Sequence, residues 1–275
     1  MNKVKSFTLI EMLIVIAIIG IISGIIMISV GDSVEKANMA RSKVFADSVK
    51  SNFGVHLVSE WKMEESADDS WGYNNGIATE VTFLEANDCP MGQCGSFNGT
   101  SSHINVSDTS AFNFGSEMSA FIWVKGDPQI QKTIFNHWDA GASDRSWLIR
   151  SDDSTGDKLV VSVTDDGTLT AGHRMQYETP ESVLDDTWHF VGFTWDSGEL
   201  KVYVDGTESA VVKVLDDSIT SLHNSSSDLE IGCSLNSGVP NGFFTGALDE
   251  AQVYNSSITE ARLNDIYLSG LEEHN

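Results

Sequence analysis

Residues 189–216, HFVGFTWDSGELKVYVDGTESAVVKVLD, contain three runs of β-branched and aromatic residues separated by two short polar segments. The runs FVGFTW and LKVYV flank DSGE, and the runs KVYV and SAVVKV flank DGTE. Asp, Ser and Gly in such separators favour tight turns, and the flanking residues favour antiparallel strands. This stretch therefore predicts two consecutive β-hairpins.

The same pattern continues on both sides, from residue 57 to residue 275. Short runs such as HINVSD, AFIWVKG and KLVVSVTDDG alternate with clusters of Gly, Asn, Asp and Ser, and the whole chain has four prolines. A series of short strands joined by turns is typical of a two-sheet sandwich. No change of composition divides the series, so we predict one head domain over residues 57–275.

The charge is distributed unevenly along the chain. The formal net charge is −24, from 16 Lys/Arg and 40 Asp/Glu. Residues 1–58 contain six basic and four acidic residues, which leaves ten basic and thirty-six acidic residues, or −26, for the remainder. Because so acidic a surface repels phosphate backbones, we do not expect a nucleic-acid partner.

An apolar segment precedes the head. Residues 7–30, FTLIEMLIVIAIIGIISGIIMISV, contain one charge, Glu11. About twenty such residues span a bilayer core as a helix, and Lys3 and Lys5 before them keep the amino terminus in the cytoplasm. Residues 31–53 continue with apolar side chains at near-helical spacing. We predict a transmembrane and amphipathic helix over residues 7–56, in a single-pass protein with an extracytoplasmic C-terminal domain.

Composition alone also fits an ordinary signal anchor, but a carboxylate within an apolar helix usually faces a partner. Residues 5–25, KSFTLIEMLIVIAIIGIISGI, resemble the prepilin signature of type IV pilins and type II secretion pseudopilins. The resemblance implies that a prepilin peptidase removes the leader, residues 1–6, by cutting between Ser6 and Phe7, and methylates the new amino terminus. It also implies that Glu11 pairs with the amino terminus of a neighbouring pilin subunit during assembly. Ser6 stands where the family usually has Gly.

A second resemblance covers nearly all of residues 57–270. CGSFNGTSSHINV, DDTWHFVGFTWDSGELKVYVDGT and FFTGALDEAQVYNSSITEARLNDIY are similar, in order and spacing, to the laminin G-like, concanavalin A-like jelly roll. It implies a mainly β protein, in which the N-terminal helix precedes an antiparallel two-sheet jelly-roll sandwich.

The jelly-roll resemblance also implies a structural calcium ion beside the final strand, because hard oxygen ligands occupy the matching positions. Those positions are Asp69, Asn75, Asn98 and Asp249. The alternative is that Asp249 caps a turn while the Asn residues supply left-handed backbone geometry.

The cysteines indicate the compartment. Cys89 and Cys94 bracket CPMGQC, where Pro90 and Gly92 favour a tight turn that brings the two sulfurs together. We predict a disulfide here, which requires an oxidising environment, and we expect Cys233 to be a buried core residue.

Aromatic residues are the candidates for carbohydrate contact. Trp71, Tyr73, Trp138 and Trp147 lie in loop-like stretches, where their rings could stack on sugars, although burial is the alternative. Strand patterns instead predict core positions for Trp61, Trp123, Trp188 and Trp195.

The sequence contains none of three common hydrolase motifs. The sequence has no E-x-D-x-x-E carboxylate pair, G-x-S-x-G turn or H-E-x-x-H helix, so we do not expect an enzyme. We predict a pilin-like subunit that adheres to glycans or other surfaces, and because its head is bulky we expect a minor rather than a major subunit of the fibre. The alternative is a type II secretion pseudopilin whose head contacts cargo or neighbouring subunits.

Overall fold

The computed structural model describes residues 9, 12–18 and 56–272. The chain divides into two compact units, Met1–Val55 and His56–Asn275. Described residues of the first unit are helical. Across the described residues, no helix has both the length and the apolar character needed to cross a membrane. Ser6, Phe7 and Glu11, with their predicted cleavage and assembly roles, lie outside the described residues, as does most of the predicted helix.

Residues 56–272 are mainly β. The strands in chain order are β1 (Leu57–Trp61), β2 (Ile77–Thr79), β3 (Thr82–Leu84), β4 (Cys94–Asn98), β5 (His103–Val106), β6 (Glu117–Lys125), β7 (Thr133–Asp139), β8 (Asp144–Ser151), β9 (Leu159–Thr164), β10 (Arg174–Glu178), β11 (His189–Asp196), β12 (Glu199–Val204), β13 (Thr207–Glu208), β14 (Val212–Asp216), β15 (Leu229–Ile231), β16 (Ser234–Asn236), β17 (Val239–Asn241) and β18 (Thr245–Tyr254). Short 3₁₀ helices occur at Ala86–Asp88 and Ser110–Phe112, and an α-helix at Glu260–Glu272 follows the last strand.

The strands form two sheets, which confirms the predicted sandwich. Sheet A has the order β13–β12–β11–β6–β18–β4–β3, with β1 also paired to β18. Sheet B has the order β14–β10–β9–β8–β7–β15–β5–β2, with the hairpin β16–β17 attached to β7. All of the pairings are antiparallel except that of β16 with β7.

The first predicted hairpin is confirmed. β11 and β12 pair from Val191–Val204 to Asp196–Glu199, and the connecting Ser197 and Gly198 have φ angles of 48° and 109°. Two positive φ angles give the turn a twist that matches the flanking strands.

The second hairpin is only partly as predicted. The Asp205–Gly206 turn forms, but β13 has two residues, and β14 crosses to sheet B to pair with β10. There Lys213 faces Tyr177, with its ammonium 4.9 Å from the ring centroid. Local strand propensity is the same in either sheet, so the sequence pattern did not indicate which partner β14 takes.

β18 has two different neighbours along one side. Its first half, Thr245–Leu248, pairs with β4, and its second half, Ala251–Tyr254, pairs with β1. Between the halves the register against β6 shifts, and Glu250 has a φ of 47°. This β-bulge therefore lies at a gap between the ends of β1 and β4.

The inner faces of the two sheets form the main core. Trp61, Trp147 and Trp195 are fully buried there. Burying a ring of this size removes roughly 200 Å² from water, or about 5 kcal/mol of transfer free energy.

A second apolar cluster lies on the outer face of sheet A under the C-terminal helix. Trp123 stacks there on Tyr267, with ring centroids 5.6 Å apart. Trp188 is only partly buried, so the prediction that it belongs to the core is wrong; its indole Nε1 donates to the carbonyl of Asp88 at 2.9 Å.

The cysteine predictions are confirmed. Cys89 and Cys94 form a disulfide with Cα atoms 5.6 Å apart. Cys233 is a free thiol with no exposed surface. The disulfide closes the loop of residues 89–94 directly before β4.

Candidate functional site

Two of the four aromatic residues predicted to contact ligand are buried. Trp147 is 0% exposed, with its ring centroid 4.9 Å from that of Phe135. Trp138 is 6% exposed and lies under the guanidinium of Arg145, 5.8 Å from the ring centroid. Neither ring offers a face to a sugar, so these two predictions are wrong. Both residues lie in strands of sheet B, Trp138 in β7 and Trp147 in β8, and a bulge at Trp138 disrupts the alternation that would have indicated its burial.

The other two aromatic residues lie on the surface loop of residues 66–76, between β1 and β2. Tyr73 is 100% exposed and Trp71 is 37% exposed. We call residues 66–76 the aromatic loop. It is the part of the described head that presents a fully accessible aromatic ring.

Asp69 holds the aromatic loop in place. Its buried carboxylate accepts four backbone N–H bonds of 2.9–3.1 Å, from Glu60, Trp71, Gly72 and Asn74. Asn75 accepts the N–H of Asp69 through Oδ1 at 3.0 Å, so both predicted calcium ligands build the loop. A carboxylate that accepts several backbone N–H groups has few lone pairs left for a metal ion.

Asn98 has a comparable local role. Its Oδ1 accepts the backbone N–H groups of Thr100, Ser101 and Ser102 at 2.9–3.1 Å, around Gly99 with a φ of 75°. Asn98 therefore stabilises a turn through its side chain, but the left-handed backbone geometry predicted as the alternative belongs to Gly99 and not to Asn98.

Asp249 has different neighbours from those expected. It is 0% exposed at the bulge of β18, where it accepts the N–H of Glu250 at 2.8 Å and that of Met91 at 3.4 Å. Across the gap, Glu64 accepts the N–H of Gln93 at 3.1 Å. We call the group formed by Asp249, Glu250, Glu64 and Gln93 the bulge pocket.

The bulge pocket is rich in oxygen atoms and electrostatically costly. Burial, together with the nearby carboxylates of Glu250 and Glu64, raises the pKa of Asp249 to about 9. Oε1 of Gln93 is buried without a hydrogen-bond partner. The carboxylate of Glu64 lies so close to Gly92 that any larger residue there would collide with it. Several hard oxygen donors around a buried carboxylate fit a calcium ion.

Glu64 and Gln93 were missed in the sequence. Glu64 lies in EWKMEE and Gln93 in the disulfide loop, 29 residues apart, and neither stretch resembles a metal-binding motif. The gap between β1 and β4 brings these two residues together. Their proximity could have been predicted only from the order of the strands in sheet A.

One more group of described residues has metal-ligand chemistry. Asp165, Asp166 and His173 bring their ligand atoms within 4.8 Å of one another near the surface. His173 Nδ1 lies 2.9 Å from Asp165 Oδ1, and this contact, with the nearby Asp166, raises the pKa of His173. The group is explained as a surface ion pair.

A depression lies on the outer face of sheet A. Its volume is about 600 Å³, and β4, β18 and the segment after β6 line it. We call it the sheet A pocket. Its side chains were not singled out in the sequence, because they come from five separate stretches of the chain.

Comparison with protein families confirms both resemblances. The concanavalin A-like lectin/glucanases superfamily matches residues 98–264, which is more than half of the chain. The prokaryotic N-terminal methylation motif matches residues 1–27, which include Ser6, Phe7 and Glu11. A search of curated protein sequences found no match.

Solved structures share the fold. Domain 4 of AbnA, an extracellular arabinanase from Geobacillus stearothermophilus solved with arabinotriose, is 20% identical with a TM-score of 0.57, covering 77% of this chain and 98% of that domain. The binding domain of Paraclostridial Mosquitocidal Protein 1 is 16% identical with a TM-score of 0.60, covering 78% of this chain and 52% of that one. The binding domain of Botulinum Neurotoxin DC, solved with SialylT, is 11% identical with a TM-score of 0.58 and the same coverage.

This chain thus spans about half the length of the toxin binding domains that it matches. At these sequence identities, the similarity to the solved structures shows a shared fold and nothing more. With its sandwich and its matched residues, the chain belongs to the concanavalin A-like lectin/glucanases superfamily and carries a prokaryotic N-terminal methylation motif.

Proposed function

We propose that the protein is a pilin-like, membrane-anchored subunit whose head binds glycans outside the cell. A methylation motif and a lectin-like domain in one chain support this proposal. In this proposal the prepilin peptidase cuts before Phe7, and the N-terminal segment joins neighbouring subunits through Glu11. The head then remains exposed at the cell surface, at a minor position in the fibre.

The observation that carries glycan binding is the exposed ring of Tyr73 on the aromatic loop. The hydrogen bonds of Asp69 fix this loop, so little conformational entropy is lost when a ligand binds. A rigid ring can stack on the apolar face of a sugar, and Trp71 offers a second, partly exposed surface beside it. The complexes of AbnA domain 4 with arabinotriose and of a neurotoxin binding domain with SialylT support a glycan as the ligand class.

A glycan array with the purified protein tests this function. We expect the wild-type protein to bind one group of glycans, and Tyr73→Ala to weaken that binding about tenfold or more. Silence of the wild-type protein across the array would contradict glycan binding. Hydrolysis of a bound glycan would contradict the proposal that the head binds without catalysis.

We also propose that calcium binds in the bulge pocket. Asp249, Glu64 and Oε1 of Gln93 would hold the ion, which would neutralise their charge and fix the disulfide loop against β18. Titration calorimetry with calcium, repeated after addition of chelator, tests this. If calcium produces no heat and no shift in melting temperature, the proposal is contradicted.

Assembly is tested in cells. Head-specific antibodies should label fibres of wild-type cells in electron micrographs, and Glu11→Val should remove that label. Equal labelling in both strains would contradict the role of Glu11. Unlabelled fibres together with a secretion defect in a deletion strain would favour the pseudopilin alternative.

A further inference from the structure

The sheet A pocket is a depression because its floor has small side chains. Ser96 of β4 and Ala247 of β18 are paired in the sheet, and Gly246 precedes Ala247. Elsewhere on this face of sheet A, large aromatic residues and the C-terminal helix fill the corresponding space. The floor therefore stays open to ligands, with a volume of about 600 Å³ above it.

The walls of the pocket are held by hydrogen bonds. The side chain of Gln129 donates to the carbonyl of Thr245 at 2.7 Å and accepts its N–H at 2.8 Å. On the other side, the N–H of Asp186 donates to the carbonyl of Gly126 at 3.0 Å. A pocket with fixed walls loses little entropy when it is filled.

The charged groups around this floor are of both signs. Asp88, Asp127 and Asp186 are exposed carboxylates of the lining, and Lys125 is a half-buried ammonium group among them. Within residues 56–272, Lys125 has no ion-pair partner, whereas Lys158 and Lys213 each have one and Lys201 has two. Its N–H groups are therefore available to a ligand.

This combination matches one ligand chemistry. Sugar hydroxyl groups both donate and accept, so they can use the carboxylates and the ammonium group together. Leu84, Pro128 and Ala247 supply apolar surface for the carbon atoms of a sugar ring. Three carboxylates against one ammonium group leave a net negative charge, which attracts a cationic ligand and repels an anionic one.

We propose that the sheet A pocket is a second glycan site and that it selects oligosaccharides bearing a free amine. The proposal rests on the proposed function in taking glycans as the ligand class. It differs in the site, since the aromatic loop contributes no residue to this pocket. The amine interacts with the carboxylates, and Lys125 donates to a hydroxyl or ring oxygen.

The test compares two ligands that differ only at the amine. Glucosamine tetrasaccharide and its fully N-acetylated form are titrated into the detergent-solubilised full-length protein. We expect the amine form to bind about fivefold more tightly or better, and Asp127→Asn with Asp186→Asn to remove that preference. A tetrasaccharide of galacturonic acid should not bind.

Two further variants separate a specific site from general attraction to an acidic protein. Glu117→Gln removes one exposed charge outside the pocket and should leave the preference unchanged. Lys125→Met should weaken binding of the neutral, acetylated form, whereas general charge attraction would be unaffected or increased. The proposal would be overturned by equal affinity for the amine and acetylated forms. It would also be overturned if Glu117→Gln reduced the preference for the amine form as much as the aspartate variants do.

Tyr73→Ala distinguishes failure of the sheet A pocket proposal from failure of the proposed glycan-binding function. If amine selectivity is absent but Tyr73→Ala abolishes array binding, the sheet A pocket is wrong and the aromatic loop stands. If the amine preference persists in Tyr73→Ala, the two sites are independent, as proposed.

Discussion

Asp69 and Asp249 are both buried aspartates that the sequence associated with calcium, yet their surroundings differ. Asp69 lies among backbone N–H groups, four of which donate to its carboxylate. Asp249 lies at a gap in sheet A, beside two other carboxylates, and accepts two N–H bonds. One carboxylate is used to build a loop, and the other has capacity left for a ligand.

The difference shows that burial of a carboxylate does not by itself identify a metal site. At Asp69 the donors belong to the chain itself, and they occupy the carboxylate oxygens. Neighbouring acids and burial oppose ionisation, as at Asp249, and a cation or a proton must then compensate. The carboxylate of Asp69 is therefore largely used by the backbone of the aromatic loop, whereas that of Asp249 accepts only two N–H bonds.

The largest effect is expected at Asp69. Asp69→Ala leaves four backbone N–H groups of the aromatic loop without their acceptor, so the free energy of unfolding should fall by about 3 kcal/mol. Urea denaturation measures the change. Asp68→Ala, at the exposed neighbouring position, is the control and should change stability by less than about 0.5 kcal/mol. Equal losses in both variants would contradict the role assigned to Asp69.

Asp249 should give the opposite pH response from an ordinary paired carboxylate. Its pKa is 3.8 when unfolded and about 9 when folded. The stability contributed by its neutral form is therefore complete below about pH 4 and is lost as the pH rises towards 9. In calcium-free protein, wild-type stability should fall by about 2 kcal/mol between pH 7 and pH 9, and Asp249→Asn should show a much smaller fall.

Thermal unfolding at several pH values, with and without calcium, measures this difference. Calcium should raise the melting temperature of the wild-type protein but not of Asp249→Asn. Glu117→Gln, which removes a charge at an exposed position, is the control. Parallel pH profiles for wild type and Asp249→Asn would count against the bulge pocket.

The disulfide should contribute to the free energy of unfolding an amount similar to, or slightly smaller than, the change expected at Asp249. Cys89 and Cys94 close a short loop, for which chain entropy gives about 2 kcal/mol. Cys89→Ser with Cys94→Ser should therefore lower the free energy of unfolding by about that amount, and should weaken calcium binding because Met91 and Gln93 lie in this loop. Reducing agent should destabilise the wild-type protein and leave the double variant unchanged.

The smallest effect on stability is expected at Tyr73. Its side chain is fully exposed, so Tyr73→Ala should change the free energy of unfolding by less than about 0.5 kcal/mol while weakening glycan binding. Denaturation and array binding are measured on the same preparation. A large loss of stability would mean that the ring supports the loop rather than a ligand.

Local signals predicted much of the fold. The two-residue turn at Ser197–Gly198 and the flanking alternation identified the β11–β12 hairpin, and Pro90 with Gly92 identified the disulfide loop. The partner of β14 was not predictable, because strand propensity does not specify the sheet in which a strand pairs.

The candidate site was predictable only in part. Asp249 was found through the motif of the final strand, but Glu64 and Gln93 reach it through the gap between β1 and β4, a long-range feature. Trp147 was wrongly predicted to lie in a loop because its neighbours include the polar residues Ser146 and Arg150. In β8 these two residues alternate with residues that face the core, such as Trp147. The loop position of Tyr73 was predictable from its polar surroundings, but its full exposure was not, because burial remained an alternative.

The position of β1 has a mechanical consequence. Any tension that the N-terminal segment transmits to the head enters at Leu57, the first residue of β1. β1 is paired with β18 from Leu57–Tyr254 to Trp61–Ala251, and the ring of Trp61 is buried in the core. A surface subunit that is pulled while its head holds a ligand would load this short ladder first. If the proposed anchor and the proposed glycan binding both hold, the force that separates β1 from β18 sets an upper limit on the attachment strength, even for a ligand that binds very tightly.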